Sequence, residues 1–324
     1  MLAAGRFITL RVAAVIGVAV FVSVATFFLL RVSRDPVDVV GAARGVDISI
    51  ESERADLAHE LGTDRPLIAQ YVDWLTGAVR GDLGTSYLDS SDDVATSITR
   101  AFPVNLELVV LAQLIALTVS IPLGLWAGAR EGQRADRMIT TASTAFVSYP
   151  GFTLSLVLIT VFSVKLDLFP ATAAAHVSFF EDPLANLRMC FLPALALAVP
   201  LIGGYTRVLR SDVASTLQED FILCARTKGV RPLRLLTHHA FRPSSLSLIP
   251  MVGLQFGALL GGSILVEQLF AFPVGLGTSL TSAAVTADVP VLLGVSTTIA
   301  IAFAVVTLLA DLVARLADPR IGRA

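Results

Sequence analysis

Six apolar stretches decide what this chain can fold into: approximately Phe7–Leu30, Pro103–Ala129, Met138–Lys165, Leu187–Leu209, Leu246–Phe270 and Val289–Leu316. A helix needs about 20 mostly apolar residues to cross roughly 30 Å of hydrocarbon, and each stretch is long enough. The composition agrees, with 55% hydrophobic and 15% charged residues, where soluble domains are nearer a quarter charged. The expectation is an all-α integral membrane protein with six transmembrane helices. The first stretch is too long for the apolar core of a signal peptide and no small-x-small cleavage site follows it, so residues 1–30 read as an uncleaved anchor helix.

Orientation follows from the basic residues of short loops, which stay in the cytoplasm. Arg6 and Arg11 flank the start, Arg130, Arg134 and Arg137 separate spans two and three, and Arg315, Arg320 and Arg323 close the chain. Between spans four and five stand Arg207, Arg210, Arg226, Lys228, Arg231, Arg234 and Arg242, whereas Ala271–Asp288 contains no Lys or Arg. Both termini are therefore expected in the cytoplasm. Residues 31–102 then form a large extracytoplasmic segment, and the seven arginines there are no contradiction, because long loops translocate largely regardless of charge. Within it Asp64 reads as an N-cap and Pro66 as a first-turn residue. Leu67, Ile68, Tyr71, Val72, Leu75 and Val79 recur on one helical face, which would lie on the membrane part of the chain or on a partner.

Several function classes lose support. The net charge of -2 argues against nucleic acid, which needs a concentrated basic face. His59, His176, His238 and His239 have no ligand spacing, so no metal site is expected. The spans place Cys190 and Cys224 near opposite membrane faces, too far apart for a disulfide. No phosphate-binding G-x-x-x-x-G-K-[ST] run occurs and no Ser-His-Asp or Cys-His constellation stands out, so no enzyme activity and no cofactor are assigned to this chain. If ATP and Mg drive it, a partner hydrolyses the ATP. An ion-driven carrier or a channel working alone would hold charges near the bilayer centre. Here Glu107 and Glu267 lie near the outer ends of spans two and five, where they either line the mouth of a pathway or snorkel to headgroups. Gly253, Gly257 and Gly261, and the pair Gly124 and Gly128, are spaced by four and mark helix-packing stripes.

The stretch LQEDFILCARTKGVRP, Leu217–Pro232, is the chain's most distinctive polar interruption. Gln218–Thr227 reads as a short amphipathic helix on Phe221, Ile222 and Ala225, with Glu219 and Asp220 in the first turn and Arg226 and Lys228 at or beyond the last. Gly229 and Pro232 are placed to stop it. On these features alone it is either a docking helix or an ordinary interfacial one.

At this point the sequence resembles the ATP-binding-cassette importer permeases, in the dipeptide and oligopeptide branch that also includes nickel permeases. Glu219, Asp220, Ala225, Arg226, Lys228 and Gly229 occupy the places of the family's E-x-x-x-x-x-A-R-x-K-G coupling-helix stretch. LGTDRPLIAQYVDWLTGAVRGDLGTSY, FPVNLEL, IPLGLWAGAR, GLQFGALLGGSILVEQLFAFP and ADPRIG resemble further family segments in order. The resemblance implies a type I importer permease fold, with residues 103–318 as the permease domain, 210–243 as the coupling loop and 319–324 as a cytoplasmic tail. It implies a second homologous permease, cytoplasmic ATP-binding subunits that use ATP and Mg, and an extracytoplasmic peptide-binding protein, all around membrane lipid and with no nucleic acid. A nickel or other solute permease is the alternative within the family; an ion-driven secondary carrier and a membrane scaffold are the rivals outside it. Two departures are visible: the family's proline near Ser247 is replaced by Pro243 and Pro250, and Val274 intervenes before Gly275.

Overall fold

The computed structural model describes residues 2–33, 35–89, 91–174 and 177–317. His176 and the closing Asp318–Ala324, with Arg320 and Arg323, lie outside them. In chain order the helices are α1 (Leu2–Ser33), α2 (Pro36–Arg44), α3 (Glu51–Glu60), α4 (Leu67–Val79), α5 (Val94–Ala129), α6 (Arg134–Ser148), α7 (Gly151–Leu158), α8 (Pro183–Thr216), α9 (Asp220–Thr227), α10 (Pro232–Arg234), α11 (Phe241–Ser244), α12 (Leu248–Gly262), α13 (Ile264–Leu269), α14 (Leu276–Thr286) and α15 (Val289–Ala317). Wider π-helical turns follow α7, over Ile159–Lys165, and α10, over Leu235–Ala240. Among the described residues there is no strand, and the one β-type contact is an isolated bridge between Thr85 and Asp93.

Among the described residues, four helices are long and apolar enough to cross a membrane, over Thr9–Val32, Val94–Ala129, Pro183–Thr216 and Val289–Leu316. Two bent pairs bring the number to six if each is a single span: Arg134–Ser148 with Gly151–Lys165, bent by 99°, and Pro232–Ser244 with Leu248–Gly262, bent by 62°. The straight third span expected over Met138–Lys165 is thus corrected. Tyr149 precedes Pro150, whose ring disfavours helical backbone in the residue before it, and Tyr149 is extended at φ -82°, ψ 123°. The fifth stretch is likewise interrupted, at Ser263 between α12 and α13. Pro250 falls in the first turn of α12, where a missing N–H costs little.

The chain forms two compact units. The first comprises residues up to Leu106 together with Pro273–Val305. Here Phe27 of α1, Tyr71 of α4 and Val289 and Leu293 of α15 form a buried cluster, with Trp74 and Leu75 packed on it. The hydroxyls of Ser23 and Tyr71 hydrogen-bond at 2.9 Å inside it. The apolar face expected for α4 is corrected by this arrangement: Tyr71, Trp74 and Leu75 turn inward, while Ile68, Val72 and Val79 are exposed. Asp64 does not cap α4 either. Its carboxylate accepts from His59 at 2.9 Å, a hydrogen bond that raises the His59 pKa above its ordinary value. Working caps occur elsewhere: Asp35 accepts from the Val37 N–H at the start of α2, and the buried Asn105 accepts from the Leu276 N–H, at 2.8 Å, at the start of α14.

The second unit, Glu107–Phe272 with the residues from Val306 onward, is organised around α8. This helix packs against α6, α7, α11, α12 and α13. Asp182 starts it by accepting from the Leu184 and Ala185 N–H groups, with Pro183 in the first turn. It carries two interior prolines, Pro193 and Pro200, which spanning helices can tolerate where surrounding groups re-satisfy the freed backbone. Tyr205 lies fully buried on α8 and donates at 2.9 Å to the Gln113 side chain of α5, which in turn donates to the Val252 carbonyl of α12 at 3.4 Å. Where α8 crosses α6, Gly203 leaves no room for a side chain: a Cβ there would collide with the Ser143 carbonyl and meet Val147 Cγ2 at 2.9 Å. Gly203→Ala is therefore expected to force α6 and α8 apart and to lower stability by about 1–3 kcal/mol, read as a lower thermal midpoint of the purified protein in detergent. An unchanged midpoint would mean that the two helices have slack at this crossing.

Candidate functional site

The loop between α8 and α12 folds as a small structure of its own. α9 begins at Asp220 rather than Gln218, because the Gln218 and Glu219 N–H groups close turns onto the Ser215 and Thr216 carbonyls. Its end is a Schellman motif: Gly229 is left-handed at φ 76°, its N–H donates to the Arg226 carbonyl at 3.0 Å, and the Val230 N–H donates to the Ala225 carbonyl at 3.2 Å. Val230 then folds back with Leu217 and Leu236 onto a buried cluster of Ile222, Ala225, Leu235 and Ala240. Full burial of an Ile or Leu side chain is worth about 1.5–3 kcal/mol, so Ile222 and Leu235 go far toward holding so short a helix in place.

Inward-facing Ile222 and Ala225 leave the other side of α9 to solvent. Phe221, expected on the apolar inner face, is instead 48% exposed, and Leu223 is 61% exposed. Adjacent helical positions point about 100° apart, so Ile222 and Phe221 cannot share one narrow face. Around these two apolar side chains stand Glu219, Asp220, Cys224, Arg226 and Lys228, all exposed. The result is a short helix with an exposed apolar side chain on each flank, Phe221 on one and Leu223 on the other, among exposed charges.

The base of this loop is tied to the rest of the unit by polar contacts. The Gln218 amide donates to Glu131 at 3.3 Å, in the turn between α5 and α6. Glu131 lies 3.5 Å from the Arg210 guanidinium of α8. Arg210 in turn grips the buried Asp136 of α6 with two hydrogen bonds, at 2.8 and 2.6 Å, and Asp136 also accepts from the Gly132 N–H at 2.8 Å. A bidentate Arg–carboxylate pair fixes geometry as well as charge. Farther along, the Ser247 hydroxyl donates to Asp212, and the hydroxyls of Thr216 and Ser244 hydrogen-bond at 3.0 Å, joining the end of α8 to the start of α12.

Beside α8 opens a cavity of about 660 Å³, lined by α6, the start of α7, α8 and α12. Its wall is mostly aliphatic and small, with Val147, Pro200, Leu201, Gly204, Met251 and Leu259 among the lining residues. The glycines singled out by their spacing are found at helix contacts of this unit or beside them. A Cβ at Gly124 would come within 2.9 Å of Leu209 Cβ, one at Gly128 within 2.8 Å of the Arg210 carbonyl, and one at Gly253 would overlap Ala310 Cβ. Gly257 is buried and Gly261 half-buried. Gly203, equally tight, carries no small-xxx-small spacing with them; the Gly203–Gly204 doublet in an apolar run was its available signal.

One of the two acids requires a correction. Glu267 does not reach water here: it is fully buried in α13, and its carboxylate accepts from the Ser263 hydroxyl at 2.5 Å. The helix break at Ser263 turns α13 against α7 and α8, and the Ala173 N–H closes over its end by donating to the Phe270 carbonyl at 2.6 Å. Glu107 is half-buried and hydrogen-bonds the Cys190 thiol of α8.

Comparison with known proteins decides the family. Residues 120–323 match the model of the binding-protein-dependent transport system inner membrane component, and residues 4–109 match the model of the N-terminal part of such membrane components. The chain belongs to this family. The permease is 33% identical to the oligopeptide transport system permease protein AppB of Bacillus subtilis over 84% of its own length and 85% of that protein's. It is 32% identical to the di/tripeptide transport system permease protein DppB of Pseudomonas aeruginosa, over 97% and 98% of the two chains, and 32% identical to the dipeptide transport system permease protein DppB of Escherichia coli, over 98% of each. Its fold is that of the MetNI methionine ABC transporter in inward-facing conformations, with a TM-score of 0.51 and 16% identity over 68% of this chain and 96% of that one. It is thus a permease subunit of an ABC importer and a multi-pass inner-membrane protein.

The two thiols report on this arrangement. Cys224 is exposed on α9 and Cys190 is buried. A water-soluble maleimide is expected to modify the detergent-purified permease at one site, and Cys224→Ser is expected to abolish the label. Fast modification of Cys190 would contradict the packing of α8.

Proposed function

We propose that this chain is a pathway-forming subunit of an ATP-driven peptide importer, and that α9 is its coupling helix to a cytoplasmic ATPase. The observation that carries the reading is the construction of α9. Its buried side is consumed by its own small core, and its two flanks leave Phe221 and Leu223 exposed among Glu219, Asp220, Arg226 and Lys228. A helix fixed in this way transmits force without first having to order itself, so a modest interface, at or below the usual ~800 Å² per partner, suffices. Motion of α9 passes to α8 and α6 through Gln218, Glu131, Arg210 and Asp136.

In this reading both bent pairs supply membrane spans, giving six, with residues 1–30 as the anchor and both termini in the cytoplasm. Residues 31–102 face outward, 103–318 form the permease domain with 210–243 as its coupling loop, and 319–324 are a cytoplasmic tail. The subunit supplies half of the pathway, so a second homologous permease completes it, ATP-binding subunits use ATP and Mg, and an extracytoplasmic binding protein delivers the peptide. The chain itself binds no cofactor and catalyses nothing. The names of the relatives in Bacillus subtilis, Pseudomonas aeruginosa and Escherichia coli support peptides as the cargo. So does the mostly aliphatic cavity wall, which makes few demands for particular hydrogen bonds and passes varied side chains.

Two variants test the coupling role. Gly229→Pro cannot adopt the positive φ of the helix stop and removes the N–H bonded to Arg226. Charge reversal of Glu219 and Asp220 to lysine leaves the core of the loop intact but inverts one side of its rim. Both are expected to abolish uptake of a radiolabelled dipeptide while the protein remains in the membrane at normal level by immunoblot. Uptake at the wild-type rate in both would contradict the coupling role of α9.

A further inference from the structure

The cavity wall has one charge. On α8 the residues facing it follow a helical stripe, in which Pro200 and Gly204 lead to Arg207 and then Ser211. Among the described residues Arg207 is the sole ionisable one in this cavity's lining, where Gln255 and Ser211 are the other polar side chains. It also lines the adjoining cavity, of about 520 Å³, so it stands at the junction of the two spaces. That second lining holds three arginines, Arg137, Arg207 and Arg210, against one carboxylate, Asp136. Asp136 is already engaged by Arg210, by the Gly132 N–H and by the Thr140 hydroxyl. The charge of Arg210 is therefore answered within the chain, whereas Arg207 and Arg137 are exposed toward the cavities and form no ion pair among the described residues. An arginine in a mostly aliphatic wall is an anion station: its planar fork matches a carboxylate in two hydrogen bonds.

We propose that Arg207 binds the terminal carboxylate of the peptide in transit, so that the pathway selects for a free C-terminal acid while leaving the side chains unread. The inference rests on the peptide-importer reading. It explains how a wall with few polar groups can still discriminate, since every unmodified peptide carries this carboxylate whatever its sequence. Arg137, in the lining of the second cavity, adds to the positive charge there beside Asp136. Arg207 is then a specificity-determining residue rather than a packing one.

The test uses proteoliposomes holding the complete importer, with trialanine and trialanine amide as the two cargoes. The binding protein's own preference is common to all variants and cancels when the acid-to-amide ratio of initial rates is compared between them. For Arg207→Gln this ratio is expected to fall about tenfold, the size of one lost charge-assisted hydrogen bond. Arg207→Lys, which keeps the charge without the planar fork, is expected to restore part of it, and gel filtration of the assembled complex verifies folding. Acid and amide uptake falling by the same factor would overturn the proposal and identify Arg207 instead as an assembly or gating residue, for instance one paired with an acid of the second permease. An unchanged ratio would overturn it as well. Failure of the wild-type importer to move either cargo would instead sink the peptide reading, a result separable from a changed or unchanged ratio.

Discussion

The second unit depends on the packing of α8, the helix on which its neighbours all lean. In lipid the backbone must satisfy itself, so the helices form regardless; what lipid does not supply is a hydrophobic drive to bring them together. Close approach has to be built in, and α8 meets it with glycine at the α6 crossing and with Leu209 and Val213 against the glycines of α5. The same helix divides its surface by function. Tyr205, Leu209 and Val213 are buried, while Pro200, Gly204, Arg207 and Ser211 border the cavity. α8 is thus packed tightly on one side and lines the cavity wall on the other.

Polar contacts then connect this wall to the loop below it. The Arg210–Asp136 pair lies where α8 and α6 come together, and its partner Glu131 reaches the Gln218 amide at the foot of the loop. Removing one member of such a pair would leave a charge poorly compensated, which is why a pair of this kind fixes one arrangement of helices rather than simply adding stability. α9 adds its own rigidity through the Schellman stop and the Ile222–Leu235 core. Shape and position of the loop are therefore separately secured.

Much of this was legible in the chain itself. Apolar length found the four long apolar helices and the two bent pairs, and the glycine stop, the terminal charges and the three-and-four spacing found α9 to within two residues of its start. The features missed share a physical cause. The bend at Tyr149–Pro150 sits inside an apolar run that hydropathy reads as continuous, although the proline was a visible signal of it. On α4 the inner face could not be chosen from periodicity alone, because apolar residues occur on most of its circumference and the choice is made by Phe27 and Leu293, remote in sequence. Burial of Glu267 depends on how α13 folds back after Ser263 and on the Ala173–Phe270 hydrogen bond, and the Arg210–Asp136 pair joins residues 74 apart. Long-range partners of this kind leave no local pattern.

The central claim is that this subunit is moved by ATP hydrolysis in a partner and not by an ion gradient. Accumulation of a labelled dipeptide inside inside-out-blocked proteoliposomes, with the full importer reconstituted, ATP sealed within and the binding protein outside, measures this directly. The account predicts accumulation that requires both ATP and the binding protein and is indifferent to uncouplers of proton and sodium gradients. Accumulation that persists without ATP and collapses with the ion gradient would contradict it.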